Sequence, residues 1–397
     1  MAQHPAPGAG SGSDSGLAPI AVARKLIAID SINPDILPGA AGESAIADWC
    51  ATWLARHGFE VQRIEETPGR PSIIATARGT GGGRSLLLNG HLDTVAVETY
   101  EGDPFSGEVR DGKIFGRGAF DMKGGIAAIL VAAARVAART GAEKHSGDII
   151  VALVADEEYA SIGTEQVLRH VTADAAIITE PSNLALTVAH RGFAWFEVEF
   201  TGLAAHGSMP HEGVDAIAHA GLFLRALDEL RTRLVSVPRH PLLGHSAVRV
   251  SMITGGVDAA TVAPSCSLTV ERRMLPGETP DAVEAELRAI LAELAETTPS
   301  LSARLTRIVA RGAFEADPGW PIVQTLAAHA ERVLGRPAER RGEPFWTDAG
   351  LVLEAGIPCL LLGVDGGGAH ADTEWATTES IEQLTAILEG TIAEFCA

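Results

Sequence analysis

Basic residues are scarce in this 397-residue chain: Lys and Arg total 31 against 51 Asp and Glu, a formal charge of −20. A field of that sign repels phosphate backbones and anionic headgroups, which sets nucleic acid and membrane surfaces aside as partners. Cysteine is scarcer still. Cys50, Cys266, Cys359 and Cys396 are scattered with no CxxC pair, so no disulfide framework is expected and the thiols read as those of a reduced, cytoplasmic protein. Long apolar runs are missing too. Gly124 to Ala138 is broken by Arg135, whereas a membrane helix needs about 18 uninterrupted apolar residues. The first residues carry neither a basic start nor an apolar stretch, so no secretory signal is expected. No Lys-Ser/Thr follows the Gly79–Gly83 run, which makes it a hairpin turn and not a phosphate loop. Ser182 and Ser208 lack a nucleophile-elbow context, which argues against serine hydrolysis.

What is present suffices for a large core, since 46% of the residues are apolar and the length suggests two or three domains at roughly 150 residues each. Residues 1–16 are rich in Gly, Ser, Pro and Ala without periodicity and read as a flexible tail. From Ala18 onward, helical and strand patterns alternate, which predicts an α/β architecture. The runs Ser72–Ala77, Ser85–Leu88, Ile149–Val154, Ala175–Ile178 and Pro358–Leu362 are short and almost wholly apolar, as strands buried on both faces are. After Arg191 the pattern changes. Phe196, Val198 and Phe200 alternate with Glu197, Glu199 and Thr201, giving a strand with one wet face. The order there is β-α-β-β-α-β, a ferredoxin-like unit inserted at 193–311. Residues 17–192 and 312–397 would then form one larger domain.

The chemistry gathers behind the buried strands. LLLNG leads into His91-Leu92-Asp93, IIVALVA into Asp156-Glu157-Glu158, AIIT into Glu180, and CLLLGVDGGG into Ala369-His370. Asp121 ends the Gly-rich GRGAFD turn, at the start of a helix expected over Met122–Arg139. In open parallel sheets the carboxyl edge is where ligands bind. A single acid there would only complement a helix dipole, but two histidines and several carboxylates converging on one edge make a cation site. Mixed nitrogen and oxygen donors suit zinc, cobalt or manganese better than calcium. His91 and Asp93, two apart on an extended segment, face the same side, so the carboxylate can accept the imidazole N–H. Adjacent Glu157 and Glu158 must point in different directions, so one can bind metal while the other takes a proton from metal-bound water.

The segments NGHLDTV, GRGAFDMKGG, ADEE, TEP, HRG, AHGS, ERRMLPGE and GGGAHADTEW resemble, in order and over nearly the whole chain, the metallopeptidase family of acetylornithine deacetylase. Succinyl-diaminopimelate desuccinylase, aminoacylase and glutamate carboxypeptidase belong to the same family. The resemblance implies a di-metal, aminopeptidase-like α/β catalytic domain interrupted by a ferredoxin-like lid that dimerises. It implies Asp121 bridging two divalent ions, zinc foremost with cobalt or manganese as alternatives. His91 and Glu180 would complete one site, and Glu158 and His370 the other. Glu157 would be the general base and Asp93 the partner of His91. In the lid, His206 would donate to the oxyanion, often across the dimer, and Arg273 would hold the substrate carboxylate. Thr261 stands where relatives usually carry a substrate-binding Asn, and Glu271 where they commonly have Asp. The implied activity is hydrolysis of the amide of a small N-acyl amino acid. A dipeptidase or carboxypeptidase on the same centre is the alternative, and a non-catalytic metal-binding protein the remote one.

Overall fold

Ile149–Val154, apolar at every position, is a strand buried at every position, and so are Ser72–Ala77 and Ala175–Ile178. Such strands are stable only when covered on both faces, and the covering helices follow from the same chain. A computed structural model describes residues 17–237 and 239–397, and the chain divides into two units. The first comprises residues 17–186 together with Gly319–Glu339 and Ile357–Ala397; the tail expected over 1–16 lies outside the described residues. Its strand order is Glu60–Ile64, Ser72–Ala77, Ile149–Val154, Leu86–His91, Ala175–Ile178, Cys359–Leu361. The last four are parallel to one another, while the first two run antiparallel and close one edge. The strand expected over Ser85–Leu88 continues to His91, so this histidine ends the strand instead of following it.

The helix Gly124–Ala137 is apolar nearly all round and packs against the C-terminal helix Thr378–Phe395. It begins two residues later than the sequence predicts. Asp121 and Met122 have non-helical backbone angles, which leaves Asp121 on the turn before the helix. Gly125 is required there: a Cβ would lie 2.5 Å from the Thr179 carbonyl. That close approach sets the helix start against the chain just before Glu180.

The second unit comprises Thr187–Pro318 and Arg340–Gly356, a wider span than the 193–311 drawn from strand periodicity. The extra segments are short strands: His190 pairs with Phe314 and Ala189 with Glu315, while Arg340–Glu343 pairs with Leu186–His190. Those pairings link positions more than a hundred residues apart, which local periodicity cannot register. Within this unit a four-stranded antiparallel sheet runs Ala247–Gly255, Ser265–Met274, Gly192–Thr201, Ser302–Arg311. Helices Ala216–Ser236 and Pro280–Thr297 complete the β-α-β-β-α-β order. Asp215 caps the first, accepting from the Ile217 and Ala218 amides, and Thr279 caps the second through the Ala282 amide. Phe196, Val198 and Phe200 point into a core with Phe223, Leu230, Leu268 and Leu287. Among the described residues no helix is long and apolar enough to cross a membrane.

Candidate metal centre

Five side chains from five segments of the first unit meet. The imidazole of His91 is buried, and its Nδ1 donates to the carbonyl of Asp93 at 2.9 Å. A carbonyl only accepts, so the neutral ring carries its proton on Nδ1 and presents the Nε2 lone pair. That Nε2 lies 3.1 Å from Asp121 Oδ1 and 3.7 Å from Glu180 Oε1. The other oxygen of Asp121, Oδ2, lies 3.5 Å from His370 Nε2, which is 2.9 Å from Glu158 Oε2. Glu157 joins from the side: donor atoms of His91, Glu157 and Glu180 lie within 4.8 Å of one another, as do those of His91, Asp121 and Glu158.

The electrostatics are those of an acid cluster in need of cations. Burial and the Asp121 charge push Glu158 up to about 7, against the pull of His370. Burial opposes a charge on His91, but Glu180, Asp121 and Asp93 outweigh it and hold the ring well above its ordinary value. Bonds to Asp121 and Glu158 raise His370 to about 10. Burial would raise Asp121, yet the two imidazoles keep it below the usual carboxylate range. Without divalent ions the carboxylates favour the protonated imidazoles; bound ions would take over that neutralisation and leave each ring neutral, with its lone pair on the metal side. Two imidazole nitrogens and three carboxylates, with Nε2 of His91 already aimed inward, are a donor set that fits zinc, cobalt or manganese. Cation binding must displace those protons, so apparent affinity falls as pH is lowered. Titration calorimetry with zinc at neutral pH, in buffers of differing ionisation enthalpy, is expected to show release of about two to three protons, from His91, His370 and in part Glu158; no release would remove the histidines from the ligand set.

Asp93 does not hold His91 through its carboxylate, which lies 3.7 Å from Nδ1. That carboxylate is committed elsewhere: it accepts from the Glu157 amide at 3.1 Å, the Glu158 amide at 3.2 Å and Asn33 Nδ2 at 2.8 Å. It therefore ties the histidine segment to the turn carrying both glutamates. Asn33 also donates to Asp156 at 3.0 Å, and Arg70 joins Asn33, Asp156 and Glu43 in one buried network. Asp156 sits at φ 71°, a left-handed conformation that such a network can hold. On the other side, buried Glu374 accepts from Arg117 and from the amides of Gly118, Phe120 and Asp121, each at 2.9 Å. Sequence reasoning missed Asn33, Glu43, Arg70 and the anchoring by Glu374. Glu374 lies inside the GGGAHADTEW segment and Arg117 in the Gly-rich turn, but nothing local marks them as partners. Asn33→Ala is expected to lower activity by about 10–100-fold, with weaker zinc retention on dialysis. Unchanged activity and metal content would show that the turn holds without it.

The other candidates lie in the second unit. His206 is exposed and pairs backbone to backbone with Thr261. The Ser208 amide donates to His206 Nδ1 at 3.2 Å, which leaves Nε2–H as the outward donor of the neutral ring. Thr261 Oγ1 donates to Asp258 at 3.0 Å. Arg273 pairs with Glu271 at 2.9 Å.

Residues 87–394 match the model of peptidase family M20/M25/M40. The chain belongs to this family. It is a metal-dependent hydrolase of amide bonds. The chain is 30% identical over 385 residues to the acetylornithine deacetylase of Proteus mirabilis, covering 94% of this chain and 95% of that protein. It is 29% identical to the N-formyl-4-amino-5-aminomethyl-2-methylpyrimidine deformylase of Bacillus subtilis, over 91% of each. In fold it is similar to the aminopeptidase PepT of Bacillus cereus, at a TM-score of 0.78 and 20% identity, covering 96% of this chain and 99% of that one. The M20 metallo-carboxypeptidase of Sulfolobus solfataricus gives a TM-score of 0.76 at 16% identity, with 96% and 99% covered.

Proposed function

We propose that this M20 protein removes the acyl group from a small N-acyl amino acid, using two divalent ions, zinc foremost. One observation carries the reading: Asp121 turns one carboxylate oxygen to His91 and the other to His370, as a bridge between two cation sites would. His91 and Glu180 would hold one ion, and Glu158 and His370 the other. Bound there, the ions would acidify a shared water and polarise the amide carbonyl. The chain's own groups do the rest. Glu157 takes the proton of the attacking water and returns it to the leaving amine. Arg273 holds the substrate carboxylate and so orients the scissile bond. The Nε2–H of His206 donates to the developing oxyanion, with Thr261 beside it.

The oxyanion donor comes from a second copy, joined through the second unit. Supporting this, the edge strand Ala247–Gly255 exposes Met252 and Ile253, at 65% and 56%, and Val257 beyond it is 66% exposed. An apolar sheet edge of that kind invites pairing. The four cysteines are free and buried, as suits work in the cytoplasm. Hydrolysis of formyl-, acetyl-, succinyl- and aminoacyl-amino acids by the zinc, cobalt and manganese forms tests the reading. Turnover confined to unblocked aminoacyl substrates would replace it with a dipeptidase, and no turnover at all with a binding protein.

A further inference from the structure

In a chain of net charge −20, the second unit concentrates arginines around one cavity of about 340 Å³, lined by Arg191, Ala247, Arg249, Glu271, Arg273 and Pro344. Glu271 is buried and supplies the negative charge among the lining residues. Its carboxylate accepts from Arg249, from Arg273 at 2.9 Å and from Trp195 at 3.1 Å. Burial alone would raise Glu271, but these partners hold it below the usual carboxylate range, so it stays ionised. The register explains the grouping: Ala247 stands opposite Arg273 and Arg249 opposite Glu271, which puts all four on one face of adjacent strands. Arg191 enters from the neighbouring segment. It donates to the Leu243 carbonyl, its Nε is buried without a hydrogen-bond partner, and no carboxylate pairs with it among the described residues. Burial and the nearby Arg273 charge both work against its protonated form.

Three guanidinium groups and one carboxylate leave two positive charges unopposed. A single substrate carboxylate on Arg273 neutralises one of them. We propose that the second is met by a second carboxylate on the same substrate, so that Arg249 and Arg191 form a subsite for dianionic N-acyl amino acids. Arg249 is the selective element. It lines the cavity and its side chain is 66% exposed while its Nε is fixed on Glu271, which leaves the terminal N–H groups open to fork onto a carboxylate. The second carboxylate can come from the amino-acid side chain or from a dicarboxylic acyl group. This inference rests on the reading that Arg273 anchors the substrate, and its test is built to fail separately from that reading.

Calorimetry on the metal-free protein, where no turnover occurs, compares each dianion with its neutral isostere. N-acetylglutamate is set against N-acetylglutamine, and N-succinylalanine against its succinamide analogue. At least one dianion is expected to bind about tenfold or more tightly than its isostere, and the pair that shows this identifies the source of the second carboxylate. In Arg249→Gln the preference should collapse to within about twofold, while Arg249→Lys retains part of it. Glu271 keeps Arg273 and Trp195 as donors when Arg249 is replaced, so the variants should stay folded, and a thermal scan checks this. Equal affinity for dianion and isostere in both pairs overturns the proposal, as does a preference that survives Arg249→Gln. If the metal-loaded enzyme hydrolyses no N-acyl amino acid while the binding preference stands, the proposed activity is wrong and the subsite remains.

Discussion

Glu157→Gln is expected to lose at least about a thousandfold in kcat while retaining both metal ions. Glutamine keeps the shape and the amide that donates to Asp93, so the turn should persist. What it loses is the ability to take a proton from water and pass it to the leaving amine. The neighbouring substitution should behave differently. Glu158 lies 2.9 Å from His370 and faces Asp121, so Glu158→Gln should lower metal occupancy as well as rate. Elemental analysis of the two variants separates the roles. Glu157 also lies within 4.8 Å of His91 and Glu180 donor atoms, which makes ligation its rival role. Loss of one metal equivalent from Glu157→Gln would move it into the ligand set, and near-native turnover would remove it from catalysis.

His206→Ala should also be close to inactive, by about 10²–10³-fold, the usual cost of removing one oxyanion donor. Mixing it with Glu157→Gln under conditions of subunit exchange should then restore activity. Half of the dimers become mixed under random exchange, and each mixed dimer holds one site with its own Glu157 and the other chain's His206. About a quarter of the sites therefore recover by two-fold symmetry. The opposite site in the same dimer lacks both groups and stays silent. No recovery, with exchange demonstrated by mass labels, would place His206 within its own chain or outside the reaction. A monomer by sedimentation would exclude the shared site directly.

The elements that carry the candidate centre were legible locally. Apolar runs such as Ile149–Val154 announce buried strands because every position must avoid water, and an acid or histidine at the end of each run is visible without knowing the sheet order. The alternation through Phe196 and Phe200 announces a half-wet strand for the same reason. His91, the Glu157-Glu158 pair, Glu180 and His370 stand at such ends and Asp121 at the Gly-rich turn; the family resemblance, not the local pattern, picks Glu158 as the ligand of the pair, and the fold brings the five together. Their support was not legible. Asn33 reaches Asp93 across 60 positions and Asp156 across 123, and Glu374 reaches the Asp121 turn across about 250. A buried polar group must find a partner, but the sequence does not say which one, because packing chooses it. The same holds for the Nδ1 of His91, which turns to a carbonyl once the Asp93 carboxylate is taken by three other donors. It holds also for the arginine cavity: Arg191, Arg249 and Arg273 are unremarkable singly, and only the register of two strands sets Arg249 against Glu271. Local pattern decides which segments are strands and helices. Non-local pairing decides which charges share a site.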